Sequence, residues 1–232
     1  MMWKKLIPTL LASIGLLVLL YGATTGGWFV KVKPEEKVLK MGLIPADDAA
    51  EMLRQYQPVV DYLSSKLGMK VELYVTDDYT AAIEAMKSKH IDMAWFGPFS
   101  YILAAKEAGA EAIVNGIRRD TGLSTYRTVF VTRADSRIKT LDDLKGKSFA
   151  FVDPASTSGN LIPRKVLIEN GIDPDKDFSL TYYAGTHNAV EYAVANGKVD
   201  AGADSDNSYN RMVKAGEIDP NVNVIIYTSD PI

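Results

Sequence analysis

From Val38 onward, short apolar runs and amphipathic stretches take turns along the chain. Val38 to Ile44 reads as a strand, Asp48 to Leu67 as an amphipathic helix closed by Gly68, and Lys70 to Val75 as a second strand. The alternation continues with a helix over Tyr79 to Ser88, a strand over Ile91 to Phe96 and a helix over Ser100 to Ala108 before Gly109. It breaks into a polar, charged turn region near Arg118 to Ser124. Beyond the break, strands are expected at Tyr126 to Thr132, Ser148 to Val152, Ser179 to Tyr183, Ala201 to Ala203 and Val222 to Tyr227. Helices are expected at Leu141 to Leu144, Asn160 to Asn170, His187 to Asn196 and Ser208 to Ala215. Such an order implies the α/β class, with mostly parallel sheets flanked by helices and ligands held beyond the carboxyl ends of the strands. The break divides the chain into a first lobe over residues 38–121 and a second over 122–227, joined by a crossover strand.

Ahead of Val38 the pattern changes. Lys4 and Lys5 precede an uncharged stretch, Leu6 to Tyr21, dominated by Leu, Ile and Val, and no charge returns until Lys31. Two lysines before a long apolar core orient the N-terminus toward the cytoplasm, so the remainder is exported. Residues 1–30 therefore read as a signal peptide or an N-terminal membrane anchor. Small residues from Ala23 to Gly26 suit cleavage, Tyr21 disfavours the most obvious site, and the apolar length is near the minimum for a span. The expected location is the periplasm or the outer face of the cytoplasmic membrane, with residues 6–30 as the membrane contact.

Composition narrows the chemistry. The 232 residues are 47% hydrophobic, enough for a sizeable core, and a net charge of −3 offers nucleic acid no general attraction. Any anion site must be local. With no cysteine, the chain has no disulfide, thiolate zinc site or cysteine nucleophile.

The stretch from Asp153 to Asn160 places Ser156, Thr157, Ser158 and Gly159 between an expected strand and an expected helix. Helix-initial amides lack internal partners and sit at the positive end of the peptide dipoles, so a tetrahedral anion finds donors there. Hydroxyls add more donors, and Gly159 admits close backbone approach. The alternative is that Ser156 or Ser158 is only an N-cap and Asp153-Pro154 only a turn. No Gly-x-Ser-x-Gly frame surrounds either serine, and no P-loop, HExxH or dinucleotide fingerprint occurs, so catalysis is not expected.

In this order, several segments carry a resemblance: Gly42-Leu43-Ile44-Pro45, Asp78-Tyr79, Asp92 to Pro98, Asp153 to Gly159, Gly185-Thr186-His187 and Ala195 to Asp200. The chain resembles the phosphate/phosphite/phosphonate-binding proteins of ABC importers from Val38 to its end. The resemblance implies a two-lobed periplasmic-binding-protein fold of type II, each lobe a mixed, mostly parallel sheet flanked by helices. It implies that Ser156, Thr157 and Ser158 grip the phosphoryl oxygens and that His187, Tyr79 and Tyr126 contribute contacts. Trp95 is a candidate for the apolar wall of the cleft or for the core. Where some relatives carry a glutamate for the amino group of an aminoalkylphosphonate, this chain has Asn207, with Asp204 and Asp206 close by, so Asp206 and Asn207 are further candidates. Small ligands such as phosphite, methylphosphonate or phosphate are accordingly easier to accept.

An aspartate ligand of the family lies on a return crossover that residues 228–232 only begin. The chain is read as truncated there, with the segment that returns to the first lobe missing. The function implied is an extracytoplasmic solute-binding component that captures phosphonate, phosphite or phosphate and works as a monomer with a permease and an ATPase, without nucleic acid, cofactor or metal. Binding of another small anion or organic solute, or ligand sensing for a membrane-anchored receptor, stays open as an alternative.

Overall fold

The computed structural model describes residues 37–119 and 121–232; the stretch read as signal peptide or anchor lies outside them. Among the described residues, no helix is long and apolar enough to cross a membrane.

The first lobe holds strands β1 (Val38–Leu43), β2 (Lys70–Val75) and β3 (Met93–Trp95) in the order β2-β1-β3, all parallel. Helices α1 (Ala49–Leu67), α2 (Tyr79–Lys87) and α3 (Pro98–Ala108) connect or follow them. Their ends obey local chemistry. The Asp48 carboxylate accepts from the Glu51 amide at 3.1 Å to start α1, and Gly68 closes it at φ 63°, a left-handed conformation that glycine takes without strain. Pro98 opens α3 two residues before the expected start, because its fixed φ suits the first turn and its missing N–H has no partner there in any case. A small core of Met41, Leu43, Met52, Val60 and Val71 seals α1 against the sheet.

The second lobe is a five-stranded mixed sheet, β6-β5-β7-β4-β8, built from β4 (Thr128–Arg133), β5 (Ser148–Phe151), β6 (Leu180–Tyr183), β7 (Ala201–Ser205) and β8 (Asn223–Thr228). Strands β5, β6 and β7 run parallel, while β4 is antiparallel to β7 and β8. Helices α4 (Ile162–Glu169), α5 (His187–Ala195) and α6 (Asp206–Ala215) accompany it. On one side Phe130, Phe149 and Phe151 pack with Leu144, Leu167 and Ile172. On the other, Val129, Val131, Val152, Val190 and Val194 form a cluster that runs on into Ile44, Tyr79 and Ala82 of the first lobe. The lobes therefore meet through shared apolar burial.

The segment between the lobes departs from expectation. Among the described residues no strand forms between Gly109 and Arg127, and β4 begins at Thr128. Ile113, Val114 and Ile117 look strand-forming, yet they are 74%, 73% and 71% exposed. A strand needs a neighbour for its backbone groups, and none of the described strands pairs with this segment.

Candidate functional site

The site begins where β5 ends. The Asp153 carboxylate accepts from the Ala155 amide at 2.7 Å and from the Tyr79 amide, across the lobe junction, at 3.4 Å. After this turn the chain winds through a π-helical turn, Thr157–Leu161, before α4 begins. The Leu161 amide reaches back to the Ser156 carbonyl at 3.0 Å, while the Ser156 hydroxyl accepts from the Gly159 amide at 3.0 Å. Ser156 is thus a genuine N-cap as well as a member of the hydroxyl triplet. Gly159 is needed by packing: a Cβ there would lie 2.2 Å from Cγ2 of Val152.

Ser156, Thr157 and Ser158 are all buried. The Tyr79 phenol, from the start of α2, faces the Ser156 hydroxyl. The Tyr126 phenol, just ahead of β4, faces the hydroxyls of Thr157 and Ser158. Burial holds both phenols above their ordinary pKa, so each keeps its proton and remains a donor at neutral pH. The first lobe also supplies the Phe99 amide, which donates to Oγ1 of Thr157 at 2.8 Å. On the other side, the Thr128 hydroxyl donates to the Ser158 carbonyl at 3.1 Å. The sequence-predicted Tyr79, Tyr126, Ser156, Thr157 and Ser158 are therefore brought together as uncharged hydroxyl groups at the junction of the lobes.

His187 stands at the first position of α5, whose cap is the Thr186 hydroxyl. Its backbone amide donates to the Ala46 carbonyl of the first lobe at 2.9 Å. Its ring is buried, and Nδ1 lies 2.5 Å from Oδ1 of Asp204 on β7. Burial lowers the imidazole pKa below its usual value. Behind this pair sits Glu191, fully buried, accepting from the Asn223 side-chain amide at 2.6 Å. Burial first, and then the charge of Asp204, push the Glu191 pKa well above the usual carboxylate range. Sequence reasoning missed Glu191; the available signal was its position four residues after His187, one helical turn along the same face.

Also missed was an interlobe clamp. Asp47, in the loop after β1, accepts hydrogen bonds from the Arg211 guanidinium and, at 3.2 Å, from the Ser208 hydroxyl, both on α6. No local signal announces a pair so distant in sequence.

The remaining candidates fall elsewhere. Trp95 packs edge-on against Tyr56 with ring centroids 5.8 Å apart, and its ring presses on Gly116. Asp206 accepts from Arg118 and from the Arg127 amide, each at 2.9 Å. Asn207 is exposed. His90 is exposed and sits 2.7 Å from the Ser88 hydroxyl. A groove of about 420 Å³ opens between the lobes, lined in part by Asp47, Asp48, Asp77, Thr186, Asn188 and Tyr192. Its carboxylates disfavour an anion, and no member of the hydroxyl triplet lines it.

Residues 41–232 match the family model described as ABC transporter, phosphonate, periplasmic substrate-binding protein. The chain is 32% identical over 205 residues to the phosphate-import protein PhnD of Mycolicibacterium smegmatis, an alignment covering 84% of this chain and 64% of that protein. It thus spans just under two thirds of that relative. Among solved structures it is similar to a binding protein component of an ABC phosphonate transporter from Pseudomonas aeruginosa, with a TM-score of 0.80, 26% identity, and coverage of 85% of this chain and 67% of that one. It is also similar to PhnD1 of Prochlorococcus marinus in complex with methylphosphonate, with a TM-score of 0.77, 25% identity, and coverage of 84% and 73%. These structures share the two-lobed architecture described above.

Proposed function

The chain belongs to the family of phosphonate periplasmic substrate-binding proteins of ABC transporters, and from that premise we propose that it captures phosphonate, phosphite or phosphate between its lobes and hands it to a permease. The observation that carries this reading is the convergence of the Tyr79 and Tyr126 phenols on the Ser156-Thr157-Ser158 hydroxyls at the lobe junction. Neutral donors suit a tetrahedral oxyanion, because they replace its lost water without adding a counter-charge that would hold it too tightly for release. Hydroxyl hydrogens can rotate toward an incoming anion.

Binding would couple to lobe closure, since both lobes contribute groups to one cluster and the permease would read the closed shape. The family's transport role makes capture, rather than chemistry, the task of the site. Asp206 is engaged by Arg118, and Asn207 is exposed, so an amino-bearing ligand finds no ready partner at those positions. A compact anion such as phosphite, methylphosphonate or phosphate fits the reading better. The periplasm, or the outer face of the cytoplasmic membrane, is the location at which such capture would serve import.

Calorimetric titration with methylphosphonate, phosphite and phosphate, with sulfate as control, tests the proposal. Saturable binding of at least one phosphorus anion, with weaker binding of sulfate, is expected. Absence of heat with all three, in protein shown to be folded, would overturn it.

A further inference from the structure

The buried polar chain behind His187 runs through Asp204, Glu191 and Asn223. Oδ1 of Asp204 already accepts from the Ser205 amide at 2.6 Å, so it faces Nδ1 of His187 as an acceptor and the ring must donate. Glu191 is held from the other end, where Asn223 donates through one amide nitrogen to the Glu191 carbonyl at 2.9 Å and to its Oε2 at 2.6 Å. Within this polar chain Oδ1 of Asn223, Oε1 of Glu191 and Oδ2 of Asp204 are left without a hydrogen-bond partner among the described residues. The last two belong to buried carboxyl groups that face each other. Two buried carboxylates side by side repel and cannot both ionise, whereas one proton between them satisfies both.

We infer that Glu191 and Asp204 hold a single proton between them and act as positioning residues for His187, fixing its proton on Nδ1 and leaving Nε2 as an acceptor for a proton carried by the ligand. The other charges acting on the ring are Asp47, from the loop after β1, and Arg211, from α6, which offset one another as the interlobe clamp. Tyr209, also on α6, faces both carboxyls while its hydroxyl donates to the Asn223 carbonyl at 2.6 Å. Burial that raises Glu191 and lowers His187 acts in the same sense, keeping the carboxyl protonated and the ring neutral.

The ligand class that follows is an oxyanion bearing one proton. It gives that proton to Nε2 and receives hydrogen bonds from the hydroxyl cluster. A fully ionised sulfate has nothing to donate. This last step rests on the binding reading above, whereas the state of the ring does not.

Nitrogen-15 NMR of the imidazoles, on the full chain without ligand, tests the pair directly. The chain has 2 histidines, and His90→Gln leaves His187 as the sole signal. At pH 7 an Nδ1-protonated, Nε2-unprotonated ring is expected, and Glu191→Gln should preserve it, because the amide can donate to Asp204 as the shared proton did. Asp204→Asn should lose this bias and weaken methylphosphonate binding about tenfold, as for loss of a hydrogen bond to a charged group. In the native protein, methylphosphonate affinity should fall as pH rises through the ligand's second ionisation. A ring protonated on Nε2 at pH 7, or a Glu191→Gln variant that changes the tautomer, overturns the pair. Affinity that stays level or rises across that ionisation, with the Nδ1-protonated ring present, overturns the acceptor role. Failure to bind any phosphorus anion while the ring is as expected would instead count against the binding reading and leave the pair standing.

Discussion

The amide of Phe99 donates to Oγ1 of Thr157 at 2.8 Å, joining a helix start in one lobe to the hydroxyl cluster of the other. Phe99 lies in the first turn of α3, where amides have no helical partner, so Thr157 satisfies an otherwise orphaned donor and keeps its own proton to give. Thr157→Val should leave that amide unpaired and weaken phosphonate binding about tenfold or more, while Thr157→Ser should retain most of the affinity. Calorimetry on the two variants decides; equal affinities would show that the hydroxyl is not engaged.

The Asp47–Arg211 clamp touches both lobes but belongs to neither end of the hydroxyl cluster. Arg211→Ala should bias the protein toward open forms and weaken phosphonate, phosphite and phosphate by a common factor of about 5 to 30, in keeping with a partly buried ion pair of roughly 1–2 kcal/mol. A change confined to one ligand would mean that Arg211 contacts the ligand itself.

Stability should carry the signature of Glu191. Its folded pKa lies well above the ordinary value of 4.5, so the folded protein retains a proton that the unfolded chain releases, and stability declines as pH rises between those limits. His187 acts in the opposite sense, because its depressed pKa costs stability as pH falls below the ordinary 6.5. Above about pH 6.5 the carboxyl effect is therefore unopposed, with a slope approaching about 1.4 kcal/mol per pH unit while the proton is held. Urea titrations upward from about pH 6.5 should show the decline in the native protein and a smaller one in Glu191→Gln, where Asp204, pushed up to about 7 by burial, still contributes in the same sense.

At Gly159 an added methyl would meet Val152 at 2.2 Å, so Gly159→Ala should destabilise by about 1–3 kcal/mol through overpacking. Trimming the neighbour in a Gly159→Ala/Val152→Ala double variant should recover part of the loss. Denaturant midpoints for the single and double variants measure this, and additive losses would exclude the contact as the cause.

Most of the fold was legible because its signals are local. Periodicity placed the strands and helices, and Gly68 and Gly109 marked helix ends where both adopt left-handed conformations. The hydroxyl triplet was visible because three adjacent small donors beside a glycine at a strand-to-helix turn already state their chemistry. Less legible was the π turn, since Ser156 to Gly159 has the same composition as an ordinary helix cap and differs only in how far the Leu161 amide reaches back. The crossover strand expected between the lobes did not form at the exposed Ile113, Val114 and Ile117, because pairing is a property of neighbours and not of the segment. Glu191, Asp47 and Arg211 were missed for a related reason: a lone charge has no meaning until the fold chooses its partner.

The two sheets differ in how firmly they hold their share of the cluster. β1, β2 and β3 rest on a handful of apolar side chains, whereas the five strands beyond them are packed on both faces. Amide exchange should accordingly find the Tyr79 and Phe99 side opening through low-energy fluctuations, and the hydroxyl triplet protected nearly to the limit of global unfolding. An anion settling onto the firmer half would then slow exchange chiefly in the looser one, making the softer sheet the reporter of occupancy.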